Sequence, residues 1–240
     1  VFTREFLAYL KKPFFIDTGP TKVSEKVSDI FYGYLVCFAL SVLSIILLVV
    51  IDIIVSRYCD GFSVFTQLKS NQKNLKLRFG MYLIPLVVVA GPFMEEIIFR
   101  LPLKLKQTGI GLSLAVVVYR LIVPHFFRFD GMINYLGTAV ALLVFLMTVF
   151  YFPPALLKSM REDYFGRFFY LSAIIFALVH ISNFMPLRPS LVLIYPLYTL
   201  PQFFMGLSFG YIRMRHGFFS ACVLHAMVNL PSALLIDFGS

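Results

Sequence analysis

From Leu35 to Ile51 the chain is apolar at every position except two serines, and comparable runs recur along its 240 residues. A run of that length crosses a hydrocarbon layer of roughly 30 Å as a helix, with every interior backbone hydrogen bond made inside the segment. Transmembrane strands are shorter and alternate apolar with polar side chains, a pattern absent here. The predicted fold class is therefore all-α, a polytopic transmembrane bundle of about seven helices. They are expected near Ile30 to Val55, Phe79 to Leu103, Gly109 to Phe127, Met132 to Leu156, Phe165 to Phe184, Leu191 to Met214 and Phe218 to Phe238. Residues 30–240 then form one transmembrane domain, with no internal repeat and no soluble domain.

The first 29 residues are mixed in character. Phe2, Phe6, Leu7 and Leu10 with Lys11 and Lys12 suit a short amphipathic helix lying at the membrane interface. No cleavable signal peptide is read, because the first apolar run begins near Ile30 and is too long for one. Lys and Arg together number 21 against 12 Asp and Glu, yet the basic residues sit mainly in the connections between apolar runs. That distribution is the signature of membrane topology and excludes nucleic acid as the partner. It favours an inside N-terminus, with the equally basic segment from Ser56 to Arg78 running against the trend, and the expected location is a bacterial inner membrane. Cys37, Cys59 and Cys222 are widely spaced, form no CxxC pair and read as packing residues. Gly206 and Gly210 have the small-xxx-small spacing that lets two membrane helices approach closely.

Three of the predicted helices carry polar side chains where lipid-facing helices have none. Glu95, Glu96 and Arg100 lie in GPFMEEIIFR, His180 in FALVHISNF, and His225 with Asn229 in LHAMVN. An acidic residue at a helix centre costs about 2.5–3.5 kcal/mol on insertion scales, and intramembrane ionisable groups mark function by default. Glu96 and Arg100 are four apart, with the acid on the N-terminal side, which suits an intrahelical ion pair. Glu95 lies about 100° around the axis and is left as the carboxylate free to act as a general base. His225 and Asn229 share one face of the last helix and offer a ring nitrogen and an amide to a developing oxyanion. Phe176, four residues before His180, is placed to fix the imidazole. Taken singly, each feature has a structural reading, such as a helix-bridging hydrogen bond or an ion pair. The other polar candidates, His125, Asn134, Asn183 and His216, fall near predicted helix ends, where water is available, and are read as solvated.

On these residues the chain resembles the CAAX prenyl protease and bacteriocin-processing family, also called the CPBP or Abi family. Glu95, Glu96 and Arg100 match its EExxxR motif, Phe176 and His180 its FxxxH motif, and His225 and Asn229 its HxxxN motif. Gly206, Gly210 and Gly217 ahead of His225 also fit, and the likeness covers roughly Phe79 to Leu230. The resemblance implies an intramembrane endopeptidase of glutamate type. In it Glu95 and His180 activate water, His225 and Asn229 stabilise the oxyanion, and Glu96, Arg100 and Phe176 support the site. The implied partners are the lipid bilayer and a peptide or membrane-anchored protein substrate, and no cofactor is implied. The first two motifs are 85 positions apart, with two apparent helices between them.

Rival readings start from the same side chains. Glu95, His180 and His225 are also a possible ligand set for a catalytic zinc, although no HExxH is present. A transporter or immunity protein would use the polar residues as a proton path or as helix locks. A Cys222 nucleophile three residues before His225 is disfavoured, because neighbours on one helix rarely reach attack geometry. Nothing in the sequence sets an oligomeric state.

Overall fold

A computed structural model describes residues 2–17, 19, 21–123 and 131–238. Among these there is no strand, and ten helices order the chain. They are α1 (Phe2–Lys11), α2 (Val23–Tyr58), α3 (Val64–Phe79), α4 (Gly91–Phe99), α5 (Gln107–Ile122), α6 (Gly131–Tyr151), α7 (Pro154–Glu162), α8 (Phe165–Val179), α9 (Leu200–His216) and α10 (Phe218–Phe238). His125 and Arg128, with the end of the helix expected up to Phe127, lie outside the described residues.

Among the described residues, five segments are long and apolar enough to cross a membrane: Val23–Tyr58, Val64–Lys104, Met132–Tyr151, Phe165–Phe184 and Phe218–Asp237. The chain is thus an integral membrane protein. The two remaining segments of the expected seven differ in kind. Gln107–Ile122 is apolar but shorter. The segment expected from Leu191 is helical in earnest only from Leu200, because Pro189, Pro196 and Pro201 break it into short turns first. Pro153 and Pro154 likewise end α6 and start the separate short helix α7.

Each spanning helix shows one face to the protein and the other outward. In α2 the buried residues are Asp29, Gly33, Cys37, Ser44, Leu48, Asp52 and Val55, a stripe at helical spacing. Phe31, Phe38, Leu43, Ile46 and Ile53 on its opposite face are exposed, as lipid contact requires. The helix begins at Val23, ahead of the apolar run, so Asp29 lies within it. Small residues set the closest approach. A Cβ at Gly210 would stand 2.7 Å from the Phe169 ring, and one at Gly206 would stand 3.1 Å from Phe176. The α9 glycines therefore admit two aromatic rings of α8, the second of which borders the candidate site.

The N-terminal helix turns its aromatic face onto protein. Phe2, Phe6 and Tyr9 are buried and pack on Tyr211, and Tyr9 also meets Phe169. A polar cluster fastens the same region. Asp29 accepts from Nε of Arg215 at 2.8 Å and stands 2.7 Å from Nε2 of His216, and Arg215 also pairs with Glu5 and Glu25. His216 is therefore buried rather than solvated, because the N-terminal segment folds over the end of α9. At the other end of α2, Asp52 accepts from Ser63, from the Val64 backbone and from Tyr198, which seats the start of α3.

Candidate active site

The segment from Val64 to Lys104 is a helical rod that changes register before it reaches the glutamates. It turns at Gly80, whose φ of 49° favours glycine, passes a 3-10 turn, and then enters a π turn over Leu86–Ala90. In that turn the Gly91 N–H bonds to Leu86 O, so Val87 O would be served next by residue 92. Residue 92 is proline, which has no N–H to give. The carbonyl left over is claimed from α10, where Nδ2 of Asn229 donates to Val87 O at 3.0 Å. Asn229 thus ties the last helix to the π turn with one N–H and keeps its second.

The C-terminal end of α4 is held as closely. Helix ends leave carbonyls without partners, and a membrane interior supplies no water to satisfy them. Here Ser113 of α5 donates to Ile98 O at 2.7 Å and Ser172 of α8 to Phe99 O at 2.8 Å. Nε of Arg213 of α9 donates to Arg100 O at 3.0 Å. Three helices therefore fix the depth and rotation of the short helix that carries both glutamates. None of these three residues was singled out from the sequence, although Ser113 and Ser172 stand out as hydroxyls in apolar helices.

Glu95, His180 and His225 come together from three helical segments. Oε2 of Glu95 is 3.8 Å from Nε2 of His180 and 3.6 Å from Nε2 of His225. Both separations exceed hydrogen-bonding distance, and Oε2 has no hydrogen-bond partner among the described residues. Glu95 is 32% exposed and His180 19%, whereas Glu96 is closed off completely. The site therefore opens on the side of Glu95 and His180.

The two imidazoles are held differently. His180 stands where α8 gives way to a 3-10 turn, and its Nδ1 lies 2.7 Å from Phe176 O. A carbonyl only accepts, so Nδ1 carries the hydrogen, and in the neutral imidazole Nε2 faces Glu95 with its lone pair. The Phe176 ring also meets the imidazole edge-on at 4.8 Å. The turn beyond His180 is steadied from α3, where Asn71 donates to the Asn183 and Met185 carbonyls and Gln67 to that of Pro186. His225 instead places Nδ1 3.0 Å from Oε1 of Glu96, and its ring stacks on Phe209 at 4.3 Å.

Behind His225 lies a closed ion pair. Nε of Arg100 is 3.6 Å from Oε1 of Glu96, at the spacing read from the sequence. Arg100 is 1% exposed, its side-chain nitrogens have no hydrogen-bond partner among the described residues, and its guanidinium lies 4.2 Å from the Phe176 ring, 5.5 Å from Phe209 and 5.8 Å from Phe99. Three ring faces thus surround the cation in place of water. Phe209, unnoticed in the sequence among 28 phenylalanines, links the two parts by touching both Arg100 and His225.

Among the described residues no group of three His, Cys, Asp or Glu side chains is close enough together to hold a metal ion. Cys222 is a free, half-buried thiol, and Cys37 is fully buried. Comparison with curated proteins and with solved structures gives no match. Residues 77–231, which run from the end of α3 to just past Asn229 and include every motif side chain, match the family model described as Rce1-like, type II CAAX prenyl endopeptidase, and the chain belongs to that family.

Proposed function

We propose that the protein is an intramembrane endopeptidase that hydrolyses a peptide bond in a membrane-associated protein or peptide by direct attack of water. The observation that carries this reading is Oε2 of Glu95, unbonded and faced by Nε2 of both histidines. A water between these atoms would lose a proton to Glu95 while the lone pair of His180 orients its second hydrogen. The new C–O bond makes a tetrahedral intermediate, and the proton held by Glu95 passes to the leaving amine as the C–N bond breaks.

His225 and Asn229 would stabilise the oxyanion. A neutral imidazole with its hydrogen on Nδ1 has no second N–H to give, so this role calls for the imidazolium. The Glu96 carboxylate beside Nδ1 holds the ring in place for that role, in the way that a carboxylate orients an imidazole elsewhere. The second amide hydrogen of Asn229, not needed by Val87 O, is the other donor. Arg100 would balance the Glu96 charge while its ring cage keeps it out of the reaction. An inside N-terminus fits the basic connections, and a bacterial inner membrane is the proposed location. The family's action on CAAX prenyl proteins makes a lipid-anchored C-terminal peptide the first substrate to try.

A metal-dependent variant of this chemistry would need Glu95, His180 and His225 to close in, because among the described residues no such trio stands near enough to hold an ion, but one feature of the histidines favours it. Each histidine aims Nε2 at the same carboxylate and gives Nδ1 to an oxygen, which is the outer-shell arrangement of many metal-bound imidazoles. Reconstituted protein distinguishes the readings. The metal-free mechanism expects cleavage of a membrane-anchored peptide to survive exhaustive chelation and to vanish in Glu95→Gln and His180→Ala variants that insert and fold normally. Full activity in those variants would end the hydrolytic reading, and activity restored only by zinc would replace it with the metal mechanism. A proton-coupled transport signal without proteolysis would instead support a carrier.

A further inference from the structure

A cleft of about 630 Å³ lies away from the glutamates and histidines, between the start of α5 and the short helix α7. Lys106, Lys158 and Arg161 line it, with Glu162 as the one acidic side chain on its wall, so the wall carries an excess of positive charge. Among the described residues none of the three cations forms an ion pair with a carboxylate. Glu162 is the single acid on the wall, Asp163 next to it accepts from Ser159, and Asp17, which acts on neighbouring Lys104, is not part of the lining. Arg161 is steadied from behind by the Phe15 ring at 4.3 Å, which leaves its N–H groups available.

The backbone adds to the same field. Lys106 is the residue preceding α5 and has extended geometry, and no side chain caps the helix, which is 16 residues long. Its first-turn N–H groups and the positive end of its dipole therefore face the cleft beside the cations. Leu105 and Leu157 form an apolar part of the same lining. The surroundings fix the level of the cleft. α7 is a short amphipathic helix between two spans, and Phe150, Tyr151, Leu156 and Tyr164 around it are exposed. Exposed aromatic rings next to basic side chains are what a chain presents at the depth of lipid headgroups.

We propose that this cleft binds the phosphodiester headgroup of an anionic membrane lipid, with Lys106, Lys158 and Arg161 as its charge partners, the α5 N-terminus as a backbone donor and the leucines against the upper acyl chains. Free phosphate offers the same charge but has no use for the apolar wall, which is why a lipid is the occupant.

The test uses the full chain in nanodiscs of phosphatidylcholine with and without phosphatidylglycerol. Hydrogen exchange is read at the amides of residues 107–109, and retained lipid is read by native mass spectrometry. The expected result is protection of those amides with phosphatidylglycerol and its preferential retention. Retention should fall about tenfold or more in a Lys158→Gln, Arg161→Gln double variant, at roughly the weight of one surface cation per charge removed. A Lys69→Gln, Lys73→Gln variant of the exposed basic face of α3 serves as the charge-matched control and should retain the lipid as the parent does. Equal loss in both variants would mean diffuse attraction to an anionic surface and would overturn the site. Retention unchanged in the cleft variant, or the same protection from inorganic phosphate in plain phosphatidylcholine discs, would overturn the lipid as well. None of these residues belongs to the proposed peptidase site, so neither result depends on the outcome of the cleavage assay.

Discussion

Two clusters in this molecule combine histidine, arginine and carboxylates from separate helices, and they are built to opposite standards. Around Asp29 the contacts are short: 2.7 Å to His216, 2.8 Å and 3.2 Å from Arg215 to Asp29 and Glu25, with Glu5 closing the set. Around Glu95 they are 3.6 and 3.8 Å. Oε2 of Glu95, Oε2 of Glu96 and all three nitrogens of Arg100 are without hydrogen-bond partners among the described residues. Buried polar groups are normally satisfied, because each one left unmatched costs about 1–3 kcal/mol. The first cluster follows that rule and fastens the N-terminus to α9. The second breaks it: rings rather than donors surround Arg100, and Glu95 is left with the open valence that its proposed role as a base calls for.

The sharpest way to break this contrast is Glu95→Gln. It should lower peptide cleavage by about 10²–10⁴-fold, the usual worth of a general base, while leaving the thermal unfolding midpoint near the parent's. A comparable fall in both would make Glu95 a structural residue like Asp29. Next in size is Glu96→Gln, which strands the buried Arg100 charge. Destabilisation of about 3–5 kcal/mol is expected, the cost of breaking a closed pair, together with lost activity in whatever remains folded. Denaturant titration in mild detergent measures it, and an unchanged midpoint would show that Arg100 does not depend on Glu96.

Asp29→Asn probes the other cluster. Arg215 keeps Glu5 and Glu25, so the loss should be limited to about 1.5–3 kcal/mol, the range for hydrogen bonds to charged groups. Cleavage per folded molecule should stay at the parent rate, and a drop of tenfold would couple the N-terminal cluster to the site. The smallest expected effect is Ser172→Ala, which frees the Phe99 carbonyl at the end of α4 at a cost of about 1 kcal/mol. If α4 is positioned as the three-helix clamp suggests, Ser172→Ala should lower kcat more than it raises KM, and Ser172→Thr should recover part of the difference.

How far the sequence reached can be judged residue by residue. The pairing of Glu96 with Arg100 and the separate direction of Glu95 followed from helical spacing alone, since both concern neighbours within one turn. Gly206 and Gly210 declared a close helix contact, and the structure supplies its partners, Phe176 and Phe169. His216 was misread as solvated because its surroundings come from residues almost two hundred positions earlier. The clamp by Ser113, Ser172 and Arg213 was invisible for the same reason. A serine in an apolar helix announces an internal partner but not which carbonyl it will meet. Pro92 was in plain view, yet its consequence needed the π turn, which decides that Val87 is the carbonyl left over and that Asn229 answers it.

Sequence by itself determined that this is a helical membrane protein with acids, imidazoles and an amide kept inside it, because apolar length and the cost of an intramembrane charge are local properties of the chain. Tertiary structure alone decided which of those groups face one another. It gave His180 a carbonyl and His225 a carboxylate behind their rings, and it left Glu95 open between them. The physical reason is that tautomer, orientation and exposure are set by what other helices bring to within about 3 Å, a distance no spacing rule along one helix can specify.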